Sequence, residues 1–163
     1  MMSSLNGKVG WITGAGSGIG AAAAEKLAAA GMTVVLSGRR KKPLMDLTQS
    51  IIDQGGRAEI EPLDVTDKSA IAKVGAQITA RHGRIDLLVN SAGINVTERS
   101  WEKVSPDGWD SVINADLNGA FYCCKAVLPI MREQKDGLII NVSSWAGVHP
   151  SKLTGPAYNA AKH

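Results

Sequence analysis

Tyr158 and Lys162, in the stretch "YNAAK", stand four residues apart near the end of the chain. On a helix that spacing sets a phenol and an ammonium side by side on one face. A tyrosine with its ordinary pKa of about 10 exchanges protons poorly at neutral pH, and a fixed cation beside it favours the phenolate. Such a pair can act as general acid and base toward a carbonyl or alcohol oxygen. Alone, the spacing also fits a solvated helix face, so its meaning depends on what the rest of the chain builds around it.

A second group of residues is suited to holding phosphate. "TGAGSGIG", residues 13 to 20, lies between the apolar run "VGWI" and the alanine-rich "AAAAEKLAAA". Glycines at a strand-to-helix turn let backbone approach a diphosphate, and the helix N-terminus adds free N–H groups and the positive end of its dipole. The spacing is T-G-x-x-x-G-x-G, with Gly14, Gly18 and Gly20; the commoner G-x-G-x-x-G is not met, because its third position is Ile19. A third residue is Asp116, in "WDSVINADLNG". It falls on the apolar row Trp109, Val112, Ile113, Leu117, Ala120, Phe121, Cys124, Val127 and Leu128, expected to be buried. A carboxylate facing a core needs a partner or hydrogen bonds.

The elements that must position these residues follow from the hydrophobic pattern. Strands are predicted at 9–12, 33–37, 58–63, 85–90 and 138–143, and helices at about 19–30, 43–54, 67–82 and 108–134, with Gly31, Gly55 and Gly83 as helix stops. "IDLLVN" and "LIINV" are apolar nearly throughout, as expected of parallel strands covered on both faces. The fold class is α/β, a doubly wound parallel sheet of Rossmann-like type. With 163 residues, one dinucleotide-binding domain over 1–163 is expected.

Composition narrows the function classes. A net charge of +3 is too small to argue for nucleic acid, and the basic run Arg39-Arg40-Lys41-Lys42 lacks interleaved aromatics for stacking. No apolar run approaches the roughly 18 residues of a membrane helix, and the N-terminus lacks a signal-peptide profile. Adjacent Cys123 and Cys124 suit buried packing rather than a framework disulfide, so a cytoplasmic setting is expected. Trp11 is expected in the core and His82 at a helix C-terminus. Trp145 is left open between the core and the substrate side.

Five segments in order resemble the short-chain dehydrogenase/reductase family: "TGAGSGIG", "LDVTD", "NSAG" at 90–93, "INVSSWAG" and "YNAAK". The resemblance implies a nicotinamide cofactor held by Gly14, Ser17, Gly18, Ile19 and Gly20 at the turn, by Asp64 and Val65 on the adenine side, and by Asn90, Ala92 and Gly93. It implies catalysis by Ser144, Tyr158 and Lys162, with Lys162 also holding the nicotinamide ribose. Ser143 competes with Ser144, and strand alternation allows only one of them to face the site. Asp116 stands where the family places a relay asparagine, and is expected to be linked electrostatically to Lys162; a carboxylate bonded only to backbone is the alternative. Where NAD-preferring sites carry an acidic residue this chain has Gly38, followed by Arg39, which can grip the extra phosphate of NADP. NADP is therefore expected, with NAD as the alternative.

The expected activity is NADP(H)-dependent interconversion of a secondary alcohol and a ketone on a small-molecule substrate. A non-catalytic dinucleotide-binding module or an inactive fragment is the rival. Family members continue beyond this motif through at least two more strands. The chain is accordingly expected to be the N-terminal portion of a longer polypeptide that forms a homo-oligomer, with its C-terminal strands and helices absent here.

Overall fold

A computed structural model describes residues 5–149 and 151–163. Strands β1 (Val9–Thr13), β2 (Thr33–Ser37), β3 (Arg57–Ile60), β4 (Leu87–Asn90) and β5 (Leu138–Asn141) form one parallel sheet in the order β3-β2-β1-β4-β5. Helices α1 (Gly18–Ala29), α2 (Lys41–Asp53) and α3 (Lys68–His82) connect the first four strands. Between β4 and β5 run α4 (Pro106–Ile113), one wide π-helical stretch (Asn114–Asn118) and α5 (Gly119–Gln134). A short 3-10 turn (Trp145–Gly147) and α6 (Pro156–Lys162) complete the order.

Strand alternation divides the core in two. Trp11, Val35 and Leu88 turn toward α3 and α5, meeting Ile71, Val74, Ile78, Cys123 and Val127. Ile12, Val34, Leu36 and Val89 turn toward α1 and α2, meeting Ala24, Ala28, Leu44 and Ile51. Helices thus cover both faces, as the apolar strands require. Trp11 is fully buried and donates its indole N–H to Ser37 Oγ at 2.9 Å. His82 is the last residue of α3, 3.3 Å from Glu59. Gly31, Gly55 and Gly83 all have positive φ just after a helix, where an added Cβ would be strained.

Several boundaries and one face differ from the sequence reading. Strand β3 ends at Ile60 rather than residue 63, and β4 begins at Leu87 rather than 85, although single backbone bonds reach past both limits, from Glu61 N to Leu36 O and from Asp86 N to Val9 O. The long helix begins at Pro106, capped by Ser105 Oγ accepting from the Gly108 N–H at 3.0 Å, and a π turn interrupts it. The buried row is Val112, Asp116, Gly119, Cys123, Val127 and Met131. Leu117, Phe121 and Leu128, expected in that row, are exposed. This helix carries apolar residues on two sides, and pattern alone does not tell which side meets the sheet. Cys123 and Cys124 are free thiols, and burial pushes Cys123 up to about 12. Among the described residues no helix is long and apolar enough to cross a membrane.

Candidate active site

The chain winds outward from β1 through β2 to β3, then returns to place β4 on the other side of β1. A crevice opens at such a reversal, beyond the carboxyl ends of the strands. Here it is a cleft of about 1000 Å³. Thr13, the last residue of β1, fixes its floor: the hydroxyl donates to Val89 O and accepts from the N–H groups of Ser91 and Ala92, at 3.2–3.3 Å. Gly14 follows with φ 66°, and a Cβ there would come within 2.6 Å of Ala92 N. At Gly20 a Cβ would meet Gly14 O at 2.5 Å. These two glycines pack the turn against the β4 loop, while Gly14, Gly16, Ser17 and Ile19 line the cleft. The N-terminus of α1 carries no side-chain cap, so its free N–H groups remain available.

At one end of the cleft, beyond β2, lie Gly38, Arg39 and Arg40. Arg40 lines the cleft beside Arg39. Lys42 does not; it pairs with Asp46 at 2.7 Å. Asp64 and Val65 form the adjoining wall, the Asp64 carboxylate accepting from Thr66 N and Oγ1 at 3.0 and 2.8 Å.

Tyr158, Lys162 and Ser144 line the other end. Helix α6 presents the first two, with Lys162 Nζ 5.7 Å from the centre of the Tyr158 ring. Val112, Ala157 and Ala161 pack α6 on α4. Ser143 Oγ donates to the Lys162 carbonyl at 2.5 Å, which anchors the last turn and commits that hydroxyl. Ser144 Oγ accepts from Ala146 N at 3.2 Å, and no described acceptor takes its proton.

Lys162 Nζ donates to Val142 O at 3.3 Å and lies 3.4 Å from Asp116 Oδ2. The Asp116 side chain is fully buried; Oδ1 accepts from Ile94 N at 2.7 Å, and Oδ2 takes no hydrogen bond from the described residues. Burial pushes its carboxyl above the usual carboxylate range, against the opposing pull of the Ile94 N–H and the Lys162 ammonium. Gly93 makes this approach possible, since a Cβ there would come within 2.9 Å of Asp116 Oδ2 and 3.2 Å of Lys162 Nζ. Asp116 is the middle residue of the π turn, a distortion that often accompanies functional sites.

The family pattern for short chain dehydrogenases matches residues 8–163. The chain belongs to the short-chain dehydrogenase family. It is 37% identical over its whole length to a 3beta-hydroxysteroid dehydrogenase of Mediterraneibacter gnavus, of which it spans 58%. Among solved structures it resembles a metagenomic short-chain oxidoreductase in complex with NADP, with TM-score 0.93 and 40% identity, covering 98% of this chain and 72% of that one. It also resembles an NAD+-bound xylitol dehydrogenase, with TM-score 0.93 and 32% identity, covering 98% and 61%. The short-chain dehydrogenase fold thus accompanies either cofactor in these relatives.

One placement departs from what the family motifs imply, and others are ones they leave open. Asn90 does not reach the cleft: its amide donates to Asn141 Oδ1 at 2.9 Å and turns toward Ala120 O and Cys124 Sγ, so it braces β4 against β5 and α5. Trp145 is 74% exposed and stacked on His149, away from both core and cleft. Arg99, Asn95 and Thr154 line the cleft near Tyr158, and nothing in their sequence spacing signals it, because loop packing brings them there.

Proposed function

We propose that this chain carries the cofactor site and the proton-transfer group of an NADP(H)-dependent oxidoreductase that interconverts a secondary alcohol and a ketone. The observation that carries this reading is one continuous cleft. It runs from a glycine turn and two arginines to the Lys162 ammonium, the Tyr158 phenol and the Ser144 hydroxyl, whose proton no described acceptor takes. The residues fit a nicotinamide dinucleotide: Gly14 and Gly20 leave no room for a side chain at the turn, and uncapped N–H groups open α1. When bound, that cofactor supplies or accepts the hydride.

Tyr158 donates a proton to the substrate carbonyl oxygen in reduction and withdraws the alcohol proton in oxidation. Ser144 directs its free O–H at the same oxygen and fixes its position. Lys162, held by Val142 O and Asp116, stabilises negative charge at the phenol oxygen and keeps a donor for the ribose hydroxyls. Asp116 is a positioning residue that acts through Lys162. Backbone from Gly14 through Ser17, Gly18, Ile19 and Gly20 receives the diphosphate. Asp64 and Val65 bound the adenine, and Ala92 and Gly93 shape the floor. Asn90 contributes by holding the strands that carry them. Arg39 favours NADP by meeting its additional phosphate.

The test is Tyr158→Phe in the full-length protein. NADPH-dependent ketone reduction is expected to fall by at least about a hundredfold in kcat/KM, with NADPH still bound. Unchanged turnover would overturn the reading.

A further inference from the structure

We infer that the Arg99 guanidinium forms a subsite for an anionic oxygen group on the substrate, a carboxylate or a phosphate. The protein then acts on charged rather than neutral carbonyl and hydroxy compounds. This rests on the oxidoreductase reading above.

Arg99 belongs to the loop between β4 and α4 and lines the cleft. Its stem is held in place. Nε donates to Leu153 O at 2.6 Å, and Asn95 Nδ2 beside it donates to Thr154 O at 2.9 Å. Gly155, with φ 77°, packs so tightly on the Arg99 backbone that a Cβ there would collide with the Arg99 carbonyl. Gly155 also caps α6, three residues before Tyr158. The position of Arg99 is therefore tied to that of the proton donor through a short, closely packed segment.

The charged end of Arg99 is underused. Among the described residues its partners beyond Leu153 O are limited to Val96 O at 3.5 Å, and no carboxylate forms an ion pair with it. Arg81 and Arg84, outside the cleft, bind carboxylates: Glu59 and Glu61 in one case, Asp86 in the other. A guanidinium has five N–H donors in a planar fork that suits two oxygens of one anion. Arg39 and Arg40 are available to the cofactor's phosphate, but they lie beyond β2, on the other side of β1 from the loop that carries Arg99. The only acidic side chain lining the cleft among the described residues is Asp64, and two hydrogen bonds from Thr66 already engage it. Among the described residues no carboxylate therefore lines the substrate end to compete with an anion for the Arg99 guanidinium.

The test is binding of pyruvate, acetoacetate and levulinate, each against its methyl ester, and of dihydroxyacetone phosphate against dihydroxyacetone. Each is titrated into the NADP-loaded protein by calorimetry. At least one anion is expected to bind about tenfold or more tightly than its neutral counterpart. Arg99→Gln should erase that ratio and Arg99→Lys should keep part of it. Carboxylate or phosphate is assigned by which pair shows the ratio. Equal binding of acids and neutral counterparts by the unaltered protein overturns the inference, as does a ratio that survives in Arg99→Gln. The oxidoreductase reading fails separately, if bound substrates are not turned over.

Discussion

At the amino end of the sheet, Asp86 accepts from Arg84 at 2.8 and 2.5 Å, from Lys8 at 2.9 Å and from the Val9 N–H at 2.8 Å. Lys8 also reaches Asp136 at 2.8 Å. At the carboxyl end, Arg39, Arg40 and Arg99 line the cleft with no ion pair among the described residues, and the buried carboxylate Asp116 lies 3.4 Å from Lys162 Nζ with one oxygen that takes no hydrogen bond from them. The first cluster sits where β1 and β4 begin, whereas Arg39 and Arg40 follow β2 and Arg99 follows β4. Charge at one end is matched within the protein and joins the loops that start the strands. At the other, Asp116 and Lys162 face each other, while the three arginines have no carboxylate partner among the described residues.

Three substitutions test this contrast, in decreasing order of effect. Burial alone would raise the Asp86 carboxyl, but Arg84, the Val9 N–H and Lys8 outweigh it and hold it at about 2. A folded pKa below the unfolded one gives stability that is present above about pH 4 and lost as pH falls toward 2. Asp86→Asn is therefore expected to cost about 2 kcal/mol at pH 7 and little near pH 2, read from denaturant unfolding at the two pH values. The same cost at both would show that packing, and not charge, holds this end.

Arg39→Ala is expected to weaken NADPH by about tenfold and NADH hardly at all, with no drop in melting temperature. Fluorescence titration at low and high salt checks it. Parallel loss of both cofactors would remove Arg39 from the phosphate end.

The smallest effect, and opposite in sign to that of Asp86, is expected for Asp116→Asn. Its carboxyl lies above the unfolded value, so its contribution is present at acid pH and declines as pH rises through the folded pKa. The amide keeps an acceptor for Ile94 N–H and removes the burial of a charge. Melting temperature should rise at neutral pH and not at about pH 3, and the pH profile of turnover should move because Lys162 loses its neighbour. An unchanged profile with raised stability would make Asp116 a purely structural carboxylate.

The glycine turn, the strand alternation and the Tyr158–Lys162 spacing were legible because they are local. Glycines at fixed positions after an apolar strand specify a tight turn whatever surrounds it, and positions four apart on a helix share a face. Leu117, Phe121 and Leu128 were misplaced because hydrophobicity does not say which of two apolar sides of α5 meets the sheet. The π turn around Asp116 left no sequence mark, and Asn90 turned away from the cleft because Asn141 and α5 offered its amide partners.

The order of elements, the parallel sheet and the family to which the chain belongs follow from its residues, since backbone geometry converts spacing directly into turns, strands and helices. Tertiary structure decided where side chains from distant loops meet. Gly93 lets Asp116 approach Lys162, Gly155 seats Arg99 beside the segment leading to Tyr158, and Ser143 is tied to α6 while Ser144 keeps a free proton. These placements depend on packing between segments far apart in the chain, and spacing along a single chain does not encode which of them touch.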